Sequence, residues 1–208
     1  KIGTYNLHNL YDIGASVNES GTEIISEAFF TKRIAYFIEK FHLLNLDIIC
    51  LQEVGGEHGV SLIGDALGYD YFFAKPNKRG IRMAVLYKKE LASRITCESV
   101  GLGELYFPSI LERGDTSMLK PISQRRDILE MILKVEEKTV SISTFHLKSN
   151  LPQYLEGDDI EHDSQAYVDA KWRCVLYKMM ELRAIREHAT KRIKEGKEVM
   201  LLGDYNEN

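Results

Sequence analysis

Asp47-Ile-Ile-Cys-Leu-Gln-Glu53 is a short apolar run that ends in two polar side chains. Its centre is continuously apolar and too short to form a helix of its own. Both features are typical of a β-strand that is buried on both faces. We therefore expect this segment to lie in a sheet that is covered by further layers of structure.

The segments on either side of this run show both helix and strand patterns. We predict helices over residues 31–45, with Thr31 as the N-cap, over 60–67 and over 167–195. We predict strands over residues 2–7, 69–74, 81–87, 95–100, 128–135, 140–147 and 199–202. The long last helix should bury an apolar stripe that consists of Val168, Trp172, Val175, Met179, Leu182, Ala189 and Ile193. This mixture predicts an α/β sandwich, and no linker divides it into two domains.

Composition and charge exclude several classes of protein. The 27 basic and 31 acidic residues give a formal charge of −4, which argues against attachment to nucleic acid by bulk charge alone but allows a local basic groove. Cys50, Cys97 and Cys174 are too few and too widely spaced for a disulfide framework or a zinc knuckle. No apolar run approaches the roughly 20 residues of a membrane-spanning helix. We expect a soluble monomer, either cytoplasmic or secreted after removal of a signal peptide.

Polar side chains stand at the ends of four predicted strands. Asn6, Glu53 and His146 each end or nearly end a strand, and Asp204 and Asn206 follow the last one. Strand ends meet at a common edge of a sheet, where active sites often lie. Carboxylate and amide oxygens suit Mg²⁺, and an imidazole could stabilise or protonate phosphate oxygens.

Each of these residues also has an ordinary structural interpretation. Glu53 could be a helix cap or a solvated residue, and Asp204 could form an Asx turn with the residues after it. His146 on a strand could be a hydrogen-bonded structural histidine. Their joint occurrence at strand ends favours the functional interpretation.

Four boxes in this order resemble the endonuclease/exonuclease/phosphatase superfamily of deoxyribonuclease-I-like phosphoesterases. The boxes are Gly3-Thr-Tyr-Asn-Leu7, Asp47-Ile-Ile-Cys-Leu-Gln-Glu53, Ser143-Thr-Phe-His-Leu-Lys-Ser149 and Gly203-Asp-Tyr-Asn206. The resemblance implies a four-layered α/β sandwich, in which two mixed β-sheets pack face to face with helices outside.

The resemblance also implies a role for each residue of the boxes. Glu53 corresponds to the principal metal-binding carboxylate, and Asn6 to the amide that supports the metal and the phosphate. Asp204, which we also count among the metal-binding residues, and Asn206 correspond to the pair that orients the attacking water. His146 corresponds to a histidine that contacts phosphate oxygens. A histidine at this position favours the deoxyribonuclease, sphingomyelinase and phosphatase branches over the apurinic endonucleases.

The resemblance is weaker at Arg126 and does not extend to the family's terminal box. Arg126 resembles an arginine that begins a strand and points at the substrate phosphate, although a solvated charge would fit equally well. The terminal Ser-Asp-His box, whose histidine is the usual general base, has no counterpart up to Asn208. We therefore expect residues 1–208 to be a single catalytic domain that is C-terminally incomplete, without its last strand and this box. His8 is the alternative base.

We expect a Mg²⁺-dependent phosphodiester hydrolase, with Mn²⁺ as an alternative ion, that acts as a nuclease on DNA or RNA. The basic stretch over residues 75–82 suits backbone phosphates, whereas the acidic loop over 148–165 would repel a long duplex. One alternative is a phosphatase, or a sphingomyelinase or phosphoinositide-type phosphoesterase, for which residues 105–111 are a candidate membrane-contacting hairpin. Another alternative is a relative that binds its ligand without hydrolysing it.

Overall fold

Two four-stranded sheets and three α-helices make up most of the part of the chain that the structure describes. The computed structural model describes residues 1–16, 24–101, 104–108, 119–123, 127–152, 154 and 164–206, and for 104–108 and 119–123 it describes the backbone. The helices are α1 (Glu27–Leu44), α2 (Glu57–Leu67) and α3 (Ser164–Lys194), and Lys89–Arg94 forms a short 3₁₀ helix. The strands are β1 (Ile2–Leu10), β2 (Ile48–Val54), β3 (Tyr69–Phe73), β4 (Arg82–Lys88), β5 (Ile95–Val100), β6 (Glu104–Pro108), β7 (Leu119–Ser123), β8 (Ile128–Val135), β9 (Lys138–His146) and β10 (Glu198–Asp204).

Both large sheets are mixed. The first has the order β1-β2-β4-β3 and the second β10-β9-β8-β5, while β6 and β7 pair separately. In each sheet one pair of strands is parallel, β1 with β2 and β9 with β10, and the other pairs are antiparallel. Across the interface between the sheets, β1 lies beside β10 and β2 beside β9. The two parallel pairs therefore face each other.

Three apolar clusters separate four layers. The first cluster joins α1 and α2 to the first sheet, the second lies between the sheets, and the third joins the second sheet to α3. Along β2, Ile48 and Cys50 belong to the cluster between the sheets, whereas Ile49 and Leu51 belong to the cluster under the helices. This alternation explains why the run is apolar on both faces. The predicted four-layered α/β sandwich is confirmed.

Helix α1 begins earlier than the sequence pattern suggested. Ser26 is its N-cap, and the Ser26 hydroxyl accepts a hydrogen bond from the backbone N–H of Phe29 at 3.3 Å. Thr31 is an exposed residue within the helix. The prediction was wrong because Phe30 extends the buried face by a further turn towards the N-terminus.

The buried face of α3 also differs from the predicted stripe. Trp172 is 55% exposed and Met179 is 59% exposed, and Val168, Val175 and Ile193 are exposed to a similar degree. The face towards the second sheet carries mainly small and polar side chains: Ala166, Ala170, Arg173, Cys174, Glu181, Ala184, Ile185 and Ala189. Of the predicted stripe, Ala189 is buried and Leu182 packs against the third cluster, whereas the other five members are exposed. Small residues allow the helix to lie close to the sheet, so the hydrophobic pattern alone indicates the buried face only in part.

Hydropathy identifies no membrane span within the described ranges. None of the helices there is long and apolar enough to cross a bilayer.

Candidate active site

Four strand ends meet at one edge of the sandwich. In the first sheet Asn6 of β1 lies beside Gln52, the residue before Glu53. In the second sheet His146 of β9 lies directly opposite Asp204 of β10. Because the parallel pairs face each other with their carboxyl ends on the same side, the polar side chains from all four strands converge. The structure thus brings together four of the residues singled out in the sequence.

Asn6 links the two carboxylates. Its amide nitrogen donates to Glu53 Oε1 at 3.0 Å and to Asp204 Oδ2 at 2.7 Å, which joins the first sheet to the second. The amide oxygen accepts from the backbone N–H of His8 at 2.8 Å. In this arrangement Asn6 orients the two carboxylates towards each other. Direct ligation of a metal by Asn6 stays a prediction.

The backbone around Glu53 has an unusual conformation. Glu53 itself has a φ of 57°, in the left-handed region that side-chain-bearing residues seldom adopt. Its second oxygen, Oε2, accepts a hydrogen bond from the backbone N–H of Asn9 at 2.9 Å. Such conformations persist where the surroundings fix them, and they cluster at functional sites.

His146 completes the cluster. Its side chain is 4% exposed, and Nε2 lies 3.5 Å from Glu53 Oε1 and 3.9 Å from Asp204 Oδ2. One potential ligand atom from each of the three residues lies within 4.8 Å of the others. Two carboxylates held this close repel each other, and a cation between them would relieve that repulsion. Their oxygens suit Mg²⁺ or Mn²⁺, so the site fits a small divalent cation.

Close contact with β9 positions Asp204. The preceding Gly203 lies so near that a Cβ built on it would be 2.2 Å from the carbonyl oxygen of Phe145, and only glycine fits there. Asp204 Oδ1 accepts from the backbone N–H of Asn206 at 2.8 Å, which is the Asx turn considered above. The other oxygen, Oδ2, faces Asn6. The Asx turn uses only one oxygen of Asp204. It therefore orients the side chain and leaves the other oxygen in the site.

Asn206 lies beside the cluster and is held by two elements. It has a φ of 50°, and its side-chain nitrogen donates to the carbonyl of Leu147 at 2.8 Å. Lys178 of α3 donates to the carbonyl oxygen of Asn206 at 2.8 Å and to Asn150 Oδ1 at 2.9 Å. The long helix thus fixes the segments that follow β9 and β10.

Sequence reasoning missed Gln52 and Arg33. Gln52 is buried, and its amide nitrogen donates to Thr4 Oγ1 at 2.8 Å and to Thr144 Oγ1 at 2.9 Å, so it bridges the sheets beneath the site. Its place next to Glu53 at the end of a buried strand was the available signal. Arg33 reaches the end of β1 from α1, and nothing in the helix pattern indicates this contact.

The other residues singled out in the sequence are placed as follows. His8 is exposed and contributes its backbone N–H to the site. The basic stretch connects β3 to β4, and Arg82 pairs with Val54, so this turn lies on the same edge as Glu53. Arg126 and the acidic residues over 156–163 lie outside the described residues, as do residues 109–111 of the candidate hairpin, whose residues 105–108 belong to β6.

Comparison with solved structures finds proteins of similar fold. No significant match was found among curated proteins. Among solved structures, D. rerio TDP2 complexed with single-strand DNA product has 17% identity and a TM-score of 0.52, with 100% of this chain and 60% of that one covered. The human Nocturnin catalytic domain with bound sulfate has 15% identity and a TM-score of 0.54, with coverage of 88% and 59%. A functionally unknown conserved protein from Enterococcus faecalis V583 has 16% identity and a TM-score of 0.51, with coverage of 99% and 66%.

The chain spans less than two thirds of the length of these three proteins, and at such identities the likeness concerns the fold. The sequence profile of the Endonuclease/Exonuclease/phosphatase family matches residues 3–208, which includes all four boxes. The chain therefore belongs to the endonuclease/exonuclease/phosphatase family.

Proposed function

We propose that this protein is a Mg²⁺-dependent phosphodiester hydrolase that acts on nucleic acid. One observation carries the proposal: Glu53, Asp204 and His146 present their ligand atoms within 4.8 Å of one another at an edge where four strands end. Members of the family hydrolyse phosphoester bonds, which makes a phosphate ester the expected substrate.

Glu53 and Asp204 would hold the cation. A bound divalent metal neutralises phosphate charge and polarises the P–O bond. Asn6 keeps the two carboxylates together through its two hydrogen bonds, so that they need little rearrangement on binding. His146, which is buried beside both, would donate from Nε2 to a phosphate oxygen.

The attacking water would be oriented by Asp204 and Asn206, which the Asx turn holds next to each other. As the water oxygen bonds to phosphorus, the ester P–O bond breaks, and the departing oxygen takes up a proton. The group that removes the proton from water stays a prediction. Within residues 1–208, His8 is the candidate.

Nucleic acid is favoured by the turn between β3 and β4. Lys75, Lys78 and Arg79 are exposed there, at the same edge as Glu53. The backbone N–H of Lys75 donates to Ser99 Oγ at 3.0 Å, which ties the turn to the second sheet. Positive side chains close to a hydrolytic site suit the phosphates on either side of the cleaved bond. The bound single-strand DNA of D. rerio TDP2 and the bound sulfate of human Nocturnin are in keeping with such a substrate.

A substrate panel tests the proposal. The full-length protein would be assayed with Mg²⁺ or with chelator on single-stranded and duplex DNA, RNA, a phosphoinositide, sphingomyelin and bis(p-nitrophenyl) phosphate. We expect Mg²⁺-dependent cleavage of nucleic acid that is lost in Asp204→Asn and kept in Asp65→Asn, which changes an exposed carboxylate in the last turn of α2. Hydrolysis of the lipids alone would show that the protein is a phospholipase and not a nuclease. No hydrolysis of any substrate would indicate a binding protein.

The basic turn provides a second test of the substrate class. The double variant Lys78→Ala/Arg79→Ala should raise KM for nucleic acid and flatten its dependence on salt. Cleavage of bis(p-nitrophenyl) phosphate should not change, because that substrate has no neighbouring phosphates. The matched control is Lys191→Ala/Lys194→Ala, which removes two exposed charges at the opposite end of the second sheet. Equal effects of the two double variants would contradict a role for the turn.

A further inference from the structure

Arg33 of α1 binds the backbone at the end of β1. Its guanidinium donates to the carbonyl oxygens of three consecutive residues: Leu7, His8 at 3.1 Å and Asn9 at 3.2 Å. The pKa of Arg33 is lowered by burial, an effect that the negative charge of Glu53 offsets in part.

The segment that Arg33 binds is a bulge that wraps around Glu53. The pairing of β1 with β2 passes from Asn6–Gln52 to Leu10–Val54, so residues 7–9 face Glu53 alone. Within the bulge His8 has a φ of 50° and Asn9 a φ of 53°. Two adjacent side-chain-bearing residues in the left-handed region are costly, and such a conformation persists only where its surroundings hold it.

The two sides of the bulge have different partners. Its N–H groups point into the site, where Asn9 binds Glu53 Oε2 and His8 binds Asn6 Oδ1. Its carbonyl oxygens point the other way, to Arg33. Because the same peptide segment carries both sets of hydrogen bonds, the guanidinium and the carboxylate of Glu53 fix the bulge from opposite sides.

We propose that Arg33 is a positioning residue for the metal site. By holding the three carbonyl groups, it keeps two backbone donors aimed at Glu53 and Asn6 and so preorganises the carboxylates for a divalent cation. This inference rests on the proposed function, because it takes Glu53 to be the metal carboxylate.

A purely structural role for Arg33 would have a different signature. The guanidinium also lies over the rings of Phe29 and Phe37, at 5.7 and 5.6 Å from their centroids. If these contacts were its whole contribution, removing the charge would lower the stability of the protein and leave the metal site unchanged.

The test compares three variants in α1. Arg33→Met keeps the apolar stem but has no donors, Arg33→Lys keeps the charge on a single donor group, and Lys32→Met removes an exposed charge from the adjacent position. Binding of Mg²⁺ and Mn²⁺ would be measured by calorimetry below the melting temperature of each variant. We expect Arg33→Met to bind the metal at least roughly tenfold more weakly than the wild-type protein, as is usual when a group that orients a metal ligand is removed. Arg33→Lys should lie between that value and wild type, and Lys32→Met should match wild type.

Amide hydrogen exchange of the metal-free protein gives an independent readout. The amides of His8 and Asn9 should exchange faster in Arg33→Met than in wild type or Lys32→Met, while those in the middle of β2 should not. A wild-type protein that binds no metal would overturn the proposed function, and the exchange rates would still decide whether Arg33 holds the bulge. Unchanged exchange at His8 and Asn9, or unchanged metal affinity with a lower melting temperature, would overturn the inference about Arg33.

Discussion

Glu130 offers a quantitative test of how α3 is attached to the second sheet. Its side chain is fully buried, and it accepts hydrogen bonds from Ser141 Oγ and from Arg192 Nε at 2.8 Å. Nε2 of His188 lies 3.3 Å from Glu130 Oε1. Burial by itself raises the pKa of Glu130, but the neighbouring imidazole of His188 and the hydrogen bonds from Arg192 and Ser141 outweigh it and hold the pKa well below its usual value.

Glu130→Gln keeps the shape of the side chain and removes its charge, while Arg192, whose side chain is 15% exposed, keeps its ion pairs with Glu98 and Glu195. Weakening hydrogen bonds to a charged group costs roughly 1.5–3 kcal/mol of unfolding free energy. In a domain of this size each 1 kcal/mol lowers the melting temperature by about 2–4 °C, so we expect a decrease of about 3–12 °C. Glu98 contacts Arg192 at 3.1 Å but is 54% exposed. Glu98→Gln is therefore the matched control and should cost less than about 1 kcal/mol.

The pH dependence of unfolding tests whether ionised Glu130 stabilises the folded protein. Because the pKa of Glu130 is lowered on folding, its contribution to stability is complete above the usual carboxyl pKa of about 4.3 and is lost as the pH falls through and below that value. Urea unfolding at a series of pH values should therefore show the difference between wild type and Glu130→Gln shrinking in acid. A difference that is negligible at pH 7, or that does not change with pH, would refute this reasoning.

Three further substitutions test the site itself. Asp204→Asn should lower kcat far more than the melting temperature, because its contacts act in the transition state; a variant that melts early but keeps its rate per folded molecule would assign Asp204 a structural role. His146→Ala should slow hydrolysis of bis(p-nitrophenyl) phosphate roughly 10²-fold, the usual scale of acid–base assistance, and full activity would remove His146 from the mechanism. Gly203→Ala should push β10 away from β9, because the added Cβ would lie 2.2 Å from the Phe145 carbonyl oxygen. It should lower both the melting temperature and the Mg²⁺ affinity, as measured by thermal unfolding and calorimetry, and an unchanged affinity would contradict the role of this close contact.

The strands of the two large sheets could be predicted because their signal is local, whereas β6 and β7 were not predicted. The apolar run before Gln52 and Glu53 specifies a strand with two buried faces, and the polar residues that follow such strands specify the edge where the site lies. The family resemblance supplied the order of the boxes. Together they identify Asn6, Glu53, His146 and Asp204 as site residues.

Features that depend on distant parts of the chain could not be predicted in this way. The stripe with Trp172 and Met179 fits a buried helix face by its spacing, but α3 lies on the sheet through small residues and Glu181 instead. Arg33 resembles any charged residue on a helix surface until the left-handed residues at the end of β1 show which carbonyl groups it meets. Contacts of this kind arise from tertiary packing and leave no periodic trace in the sequence.

Metal binding at Glu53 is the central claim, and calorimetry of Mg²⁺ with the full-length protein tests it most directly. Glu53→Gln preserves the size of the side chain and removes one of the two carboxylates that face the site. We predict that Mg²⁺ binds the wild-type protein, that its affinity falls sharply in Glu53→Gln, and that it stays at the wild-type value in Asp65→Asn. An affinity in Glu53→Gln equal to that of the wild-type protein would contradict the account.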